Sequence, residues 1–145
     1  MKLEFSPIDF QQMAGLTVFY DTFNFFYLYL FSDGAGSNEL RVLARDNLRF
    51  IDPLMKGISI GTHTAVWLRV QIKDLTLRFS YSLDGIDFVE IAGLLDCPNL
   101  SDEAYGEIGH EGHTGTFIGM ACQDLSGRRL HADFESFSYR RGEQT

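Results

Sequence analysis

Residues 66–73 read Val-Trp-Leu-Arg-Val-Gln-Ile-Lys, a regular alternation of apolar and polar side chains. Successive side chains of a β-strand point to opposite faces of its sheet. One face of this segment therefore carries Val66, Leu68, Val70 and Ile72, and the other carries Trp67, Arg69, Gln71 and Lys73. The segment is predicted to be a strand that turns its first face to a core. Trp67 lies on the outer face, where it is a candidate for contact with a sugar or a partner.

Similar short segments, separated by Gly, Asp and Asn, follow one another along the chain, and no helical period persists for three turns. They predict nine strands, at residues 16–20, 25–31, 39–45, 58–60, 65–72, 76–82, 87–91, 115–122 and 129–137. A short helical turn is predicted only at residues 101–104, where Ser101 offers a capping hydroxyl. The pattern indicates an all-β protein, a two-sheet antiparallel β-sandwich.

The clearest turn signal is residues 82–88, Ser-Leu-Asp-Gly-Ile-Asp-Phe. Asp84-Gly85 supplies the positive φ that tight hairpin connections need. We therefore expect this turn to join two antiparallel strands.

The composition excludes several classes of protein. The 145 residues are 45% hydrophobic and 22% charged, which suits one folded domain over residues 1–145. The net charge of −8 disfavours nucleic acid and anionic membranes as partners. No apolar run approaches the roughly 20 residues of a membrane helix, and no secretory signal is visible, so we expect a cytoplasmic protein. Cys97 and Cys122 are predicted to be free thiols, with Cys122 buried.

Two clusters of polar side chains invite a chemical interpretation. Glu107, His110, Glu111 and His113 are residue types that bind divalent metals. The two histidines are three residues apart in a glycine-rich stretch, which does not fit the zinc-protease helix, and a solvated loop is the alternative. On a strand, the side chains of residues 131, 133 and 135 (His, Asp, Glu) share one face and form either an acid–base or cation site or a row facing solvent.

The aromatic content points to binding of a sugar or a partner, with core packing as the alternative for any single ring. The chain has thirteen Phe, six Tyr and one Trp, and residues 23–29 are so rich in them that both faces of that strand must be covered. The second sheet and a neighbouring domain would cover them most simply. No nucleophile elbow and no strand with alternating carboxylates of the Glu-x-Asp-x-x-Glu type is present, so we expect no catalytic residue in this chain.

Five stretches together resemble one known family: residues 10–16 (FQQMAGL), 79–85 (FSYSLDG), 100–103 (LSDE), 117–127 (FIGMACQDLSG) and 132–134 (ADF). They resemble the C-terminal concanavalin A-like β-sandwich domain of glycoside hydrolase family 43 β-xylosidases and α-arabinofuranosidases, enzymes of xylan degradation. The resemblance implies a non-catalytic accessory domain. In such enzymes the catalytic acids lie on an N-terminal β-propeller, which this chain lacks.

The resemblance also implies a loop that walls the active-site pocket and contacts a xylo- or arabino-oligosaccharide. In relatives this loop resembles Gly-Phe-Thr-Gly-x-Phe-x-Gly, and here residues 112–119 read Gly-His-Thr-Gly-Thr-Phe-Ile-Gly. The implied pocket residues are His113, Thr114 and Phe117. Phe117 keeps the family's ring, whereas His113 replaces the first aromatic with a group that can hydrogen-bond a sugar hydroxyl.

Further expectations concern partners. Because the family domain usually begins upstream of this segment, the chain resembles a fragment with an exposed sheet edge, and we expect a homo-oligomer. The alternatives are a free-standing carbohydrate-binding module, for which Trp67 would be the platform, and an oligomerisation domain. We expect no cofactor and no metal. The sequence leaves a structural calcium open, because backbone carbonyl ligands leave no trace in it.

Overall fold

The structure is a computed structural model that describes residues 1–101 and 115–141. These residues form eleven strands and one short 3-10 turn, Pro98–Leu100. The strands are β1 (Lys2–Glu4), β2 (Gln12–Asp21), β3 (Asn24–Ser32), β4 (Asn38–Asp46), β5 (Arg49–Ile51), β6 (Ile58–Gly61), β7 (Ala65–Lys73), β8 (Thr76–Ser82), β9 (Val89–Asp96), β10 (Phe117–Asp124) and β11 (Asp133–Ser136).

The strands pair into two antiparallel sheets. Sheet 1 has the order β11-β1-β7-β8-β9. Sheet 2 has the order β10-β2-β3-β4-β5, and β6 also pairs with β4. The predicted two-sheet antiparallel sandwich is therefore confirmed. In the part of the chain that the structure describes, no helix is long and apolar enough to cross a membrane.

The core lies between the sheets and follows the alternation of the sequence. Val66 and Leu68 of β7 are fully buried, as predicted, whereas Ile72 is 40% exposed beside the β7–β8 turn. Sheet 1 contributes the buried side chains Leu3, Val66, Leu68, Leu77, Phe79 and Ile91. Sheet 2 contributes Ala14, Leu16, Val18, Leu28, Leu30, Leu40 and Val42. Sequence periodicity thus identifies the inward faces of the central strands.

The strand boundaries differ from the predicted ones where turns or neighbours decide them. All nine predicted strands overlap an observed strand, but β1 and β5 are missed because three residues are too few to show an alternation. Residues 129–132 were expected to lie in a strand, but they do not. Arg129 has a φ of +59°, and the Leu130 N–H donates a hydrogen bond to the Asp124 carboxylate. Ser101 is not helical, and the rest of the predicted helical turn lies outside the described residues.

The Asp84-Gly85 turn joins β8 to β9, which pair antiparallel as expected. Asp84 Oδ1 accepts hydrogen bonds from the N–H groups of Ile86 (2.8 Å) and Asp87 (2.9 Å). These bonds and one from the Ser82 hydroxyl lower the pKa of Asp84 to about 2. Gly85 has a φ of +80°. The turn is therefore built from the carboxylate and the glycine that the sequence singled out.

The cysteines correct one prediction. Both are free thiols, as predicted, and Cys97 is buried, but Cys122 is exposed rather than buried. Cys122 lies opposite the fully buried Ala14 and so points to the core side of sheet 2. It is exposed because β10 is an edge strand of that sheet, where the cover from sheet 1 ends.

Candidate docking face and pocket loop

The described residues on either side of positions 102–114 lie next to one another. The Thr116 hydroxyl donates a hydrogen bond to the Leu100 carbonyl, which ties the two ends of the segment together. Ser101 and Gly115 line one cleft of about 340 Å³ at this end of the sandwich, beside the β7–β8 turn. We call this the loop end. His113, Thr114 and the cluster from Glu107 to His113 lie outside the described residues.

Phe117 stands at the loop end as the first residue of β10. Directly paired residues of antiparallel strands share a face, and the pairing carries one row across the whole of sheet 2. The row runs Phe117, Phe19, Phe25, Arg45, Phe50. It lies on the outer face, because the alternating partners Val18, Phe26 and Ala44 are buried in the core.

An arginine sits between the rings of this row. The Arg45 guanidinium lies 4.8 Å from the ring centroid of Phe23, in the β2–β3 turn, and 5.0 Å from that of Phe50. Phe19 and Phe25 stack with their centroids 6.4 Å apart. Phe50 is 67% exposed and Phe117 is 59% exposed. We call this group the aromatic row: Phe19, Phe23, Phe25, Arg45, Phe50 and Phe117. It combines apolar rings with a guanidinium that contacts two of them. Protein interfaces and sites that stack on sugar rings use this combination.

Farther from the loop end, the same outer face is closed by its own side chains. The Tyr27 hydroxyl donates to Gln123 Oε1 (2.9 Å) and lies 3.2 Å from the Ala121 carbonyl oxygen. The Tyr27 and Tyr29 rings stack at 5.1 Å. Burial raises the pKa of Tyr27 well above its usual range, so the phenol stays neutral. This part of the face is packed by its own side chains, and the aromatic row is the part left open.

Trp67 lies on the outer face of sheet 1, away from Phe117. The Lys2 ammonium is 5.4 Å from the Trp67 ring centroid. On the other side, a Cβ added to Gly85 would lie 2.8 Å from Trp67 Cε2. The indole is therefore held between a lysine and a turn, and only part of it is exposed. Among the described pocket residues, Phe117 lies on the outer face of sheet 2 and Trp67 on that of sheet 1, and the Trp67 ring is not presented as an open platform.

The row at residues 131, 133 and 135 faces solvent. His131, Asp133 and Glu135 are exposed, while the residues between them pack against the core. Glu135 forms an ion pair with Lys2, which also pairs with Glu4 at 2.8 Å. Within residues 1–101 and 115–141, no group of three His, Cys, Asp or Glu side chains is arranged to hold a metal ion. The interpretation as a solvent-facing row therefore fits the geometry better than an acid–base or cation site.

Comparison with known proteins places this sandwich in the concanavalin A-like class. Residues 1–140 match the family described as "Beta xylosidase C-terminal Concanavalin A-like domain". A solved structure, the xylan β-1,4-xylosidase from Bacillus halodurans C-125, superposes with a TM-score of 0.81 at 30% identity, over 90% of this chain and 25% of that one.

Curated relatives give the same family. The chain is 37% identical to xylosidase/arabinosidase 43B of Humicola insolens and 37% identical to a β-xylosidase of Bacillus subtilis (strain 168). Each alignment covers 95% of this chain but 26% of the relative, so the chain spans about a quarter of the length of these proteins. The chain belongs to the C-terminal concanavalin A-like domains of the glycoside hydrolase family 43 β-xylosidases.

Proposed function

We propose that this chain is the non-catalytic accessory domain of a β-xylosidase-like enzyme. It packs on the catalytic β-propeller through the aromatic row and lends residues 102–114 to the wall of the active-site pocket. The observation that carries the proposal is the position of Phe117, which begins β10 shortly after residues 102–114 in the chain and also ends the aromatic row. The loop end of the sandwich thus carries both the aromatic row and the residues that flank positions 102–114.

The aromatic row has the composition of an interface core. Aromatic side chains and arginine are enriched in protein interfaces, and rings at their centre carry much of the binding energy. Fully burying a Phe side chain contributes about 1.5–3 kcal/mol, and Phe50 and Phe117 are each more than half exposed in this chain. A catalytic domain that covered them would recover that free energy.

Three aspartates of the described residues have pKa shifts that suit a structural role rather than a catalytic one. Hydrogen bonds from the Ser37 N–H, the Ile86 N–H and the Ser126 hydroxyl are the main causes that lower the pKa of Asp33, Asp84 and Asp124, respectively. A glycosidase general acid needs the opposite shift, a raised pKa. These three acids build turns, and the proposal assigns the acids of hydrolysis to the propeller.

In the assembled enzyme, His113 is proposed to donate a hydrogen bond to a hydroxyl of a xylo- or arabino-oligosaccharide. Kinetics of the full-length enzyme test this role. We expect His113→Ala to lower kcat/KM by about tenfold, the effect of one lost hydrogen bond of 1–2 kcal/mol. His113→Phe should restore much of it, because the ring matches the usual residue of the family.

Leu125→Ala is the matched control for this experiment, since Leu125 is also exposed but follows the opposite end of β10. The control should leave kcat/KM unchanged. If His113→Ala also leaves it unchanged at full stability, residues 102–114 do not contact the substrate and only docking remains.

A free-standing carbohydrate-binding module is the rival function, because the exposed rings of Phe50 and Phe117 could stack on sugar rings. Titration of the isolated chain with xylohexaose, followed by NMR of the Phe ring signals, distinguishes the two. The proposal expects no saturable shift, because the sugar site needs the propeller. Saturable shifts of the aromatic-row rings would favour the module.

A further inference from the structure

Two of the five stretches that resemble the family, residues 10–16 and 117–127, meet at the end of the β2–β10 ladder that lies opposite the loop end. Gln12 pairs with Asp124 there, and Gln12 is 1% exposed. The Gln12 Nε2 donates a hydrogen bond to Ser126 Oγ (3.1 Å). This buried amide therefore links β2 to the residues that directly follow β10.

Asp124 and Ser126 hold the turn that follows β10. The Ser126 hydroxyl and the Ser126 N–H both donate to Asp124 Oδ1, and the Leu130 N–H donates to Asp124 Oδ2 (2.6 Å). The bond from the Ser126 hydroxyl is the main cause that lowers the pKa of Asp124, so the carboxylate is ionised at neutral pH. Asp124 thus fixes Ser126 relative to β10, and Gln12 fixes Ser126 relative to β2. We call Gln12, Asp124 and Ser126 the polar clamp.

Most other side chains of β10 distinguish poorly between registers that differ by two residues. A slip of one residue would turn the core-side residues outward, but a slip of two keeps every side chain on its own face. On the outer face, Gly119 and Ala121 offer almost no side chain to fix a position. On the core side, Met120 is 50% exposed, so a slip changes its burial little. The register must therefore come mainly from side-chain hydrogen bonds, which are the Tyr27–Gln123 bond on the outer face and the polar clamp.

We infer that the polar clamp holds β10 in the register that aligns Phe117 with the aromatic row. Its three members are therefore positioning residues for docking, a role that rests on the docking face proposed above. A slip by two residues would move Phe117 by about 6.6 Å along β2. It would place either Gly119 opposite Phe19 or Phe117 opposite Thr17, and in both cases Phe19 would lose the ring that now lies opposite it. The clamp thus acts on the docking face from the other end of the strand.

Disulfide trapping on the chain alone tests the clamp. Residues directly opposite in antiparallel strands are close enough for a disulfide, whereas diagonal neighbours are too far apart. The pair Phe19→Cys/Gly119→Cys is diagonal in the observed register and becomes directly opposite after a slip in one direction. The pair Thr17→Cys/Phe117→Cys reports a slip in the other direction in the same way. Both pairs are made in a Cys122→Ser background, which removes the exposed native thiol.

Ser126→Ala removes the hydroxyl at the centre of the clamp. We expect crosslinking of at least one pair to become about five- to tenfold faster, because the hydrogen bond that joins the end of β10 to β2 is lost. Ser126→Thr keeps a hydroxyl and should restore the slow rate. Gln12→Met breaks the same link from β2 with little change in volume and should act like Ser126→Ala.

Ser82→Ala is the matched control for these variants. The Ser82 hydroxyl donates the same kind of hydrogen bond to Asp84 Oδ1 (2.7 Å), but in a turn of sheet 1. Its loss should leave the crosslinking rates of both pairs unchanged. Unchanged rates with Ser126→Ala and Gln12→Met, or an equal rise with Ser82→Ala, would overturn the inference that the clamp sets the register.

A separate measurement tests the link between register and docking. The oxidised Phe19→Cys/Gly119→Cys chain, trapped in the slipped register, should bind the catalytic domain of its parent enzyme about tenfold more weakly than the same chain when reduced. Equal binding of the two forms would contradict the aromatic row as the docking face, while the trapping rates would still report the clamp. Failure of the clamp and failure of the proposed function are therefore distinguishable.

Discussion

The outer faces of the two sheets differ in the partners of their arginines and in the exposure of their aromatic rings. On sheet 1, two arginines have local partners: Arg78 lies 3.2 Å from Glu90, and the Arg69 guanidinium lies 3.5 Å from the Phe88 ring centroid. On sheet 2, Arg45 is held between two rings that are themselves largely exposed. Sheet 1 thus partners these two arginines within its own surface, whereas sheet 2 leaves a row of exposed rings that a partner can cover.

The difference shows where function is to be sought. Exposed ion pairs contribute about 0–1 kcal/mol each, with or without a partner. Exposed aromatic rings contribute their free energy only when something buries them. Substitutions on sheet 1 should therefore act on folding alone, and substitutions in the aromatic row should act on docking.

Gly85→Val should have the largest effect on stability. The valine would need a φ of +80° and would place its Cβ 2.8 Å from the Trp67 ring, so we expect a loss of about 3 kcal/mol in the free energy of unfolding. Gly34→Val is the control, with a φ of +76° but no atom within 4 Å of the added Cβ. It should cost about 1 kcal/mol, from backbone strain alone. Urea denaturation measures both, and equal losses would show that Trp67 does not pack on the turn.

Tyr27→Phe tests whether the closed part of sheet 2 is held by its hydroxyl. The substitution removes the hydrogen bonds of the Tyr27 hydroxyl to Gln123 Oε1 and to the Ala121 carbonyl, so we expect about 1 kcal/mol of lost stability. The same denaturation experiment applies. Tyr29→Phe is the comparison, since only half of that side chain is covered, and it should cost less.

The pH dependence of stability should show the contribution of the ionised Asp84 carboxylate to its turn. Because the folded pKa is depressed from 3.8 to about 2, ionised Asp84 contributes stability above pH 3.8 that is lost as the pH falls toward 2. The melting temperature of the wild type should exceed that of Asp84→Asn at neutral pH, and the gap should close between these two pH values. A gap that stays constant through this window would contradict the role of the ionised carboxylate.

Arg78→Ala should have the smallest effect. It breaks an ion pair whose two side chains are each nearly half exposed, and such pairs contribute a few tenths of a kcal/mol. The change in unfolding free energy should be under about 0.5 kcal/mol, and high salt should remove it. A loss above about 1 kcal/mol would mean that the outer face of sheet 1 is more than a solvated surface.

Periodicity predicts which side chains face the core, because it depends only on the alternation along one strand. Leu68 and Trp67 are assigned to the correct faces in this way. It does not predict that Cys122 is exposed, since the position of β10 at a sheet edge depends on how distant strands pair. Periodicity also fails to predict short strands such as β1, because three residues are too few to show an alternation.

The aromatic row could not be found from the sequence for the same reason. Phe117, Phe19, Phe25, Arg45 and Phe50 show no regular spacing, and only the register of four strand pairs aligns them. Phe117 was identified through the family resemblance, and Phe23 and Phe25 through the aromatic density of residues 23–29, whereas Phe19, Arg45 and Phe50 were not identified. The available signal was that Phe19 and Phe25, on adjacent strands, both alternate with core-facing residues and so belong to the outer face.

The affinity of the isolated chain for a separately produced catalytic domain of its parent enzyme tests the central claim most directly. Isothermal titration calorimetry should give measurable binding for the wild type. Phe50→Ser/Phe117→Ser should weaken it by more than about tenfold, given the burial free energy of two rings, with little change in the stability of the chain alone. Arg69→Ser/Arg78→Ser, on the outer face of sheet 1, should bind like the wild type. Equal binding by all three chains, or weakening only by the sheet 1 variant, would contradict the account.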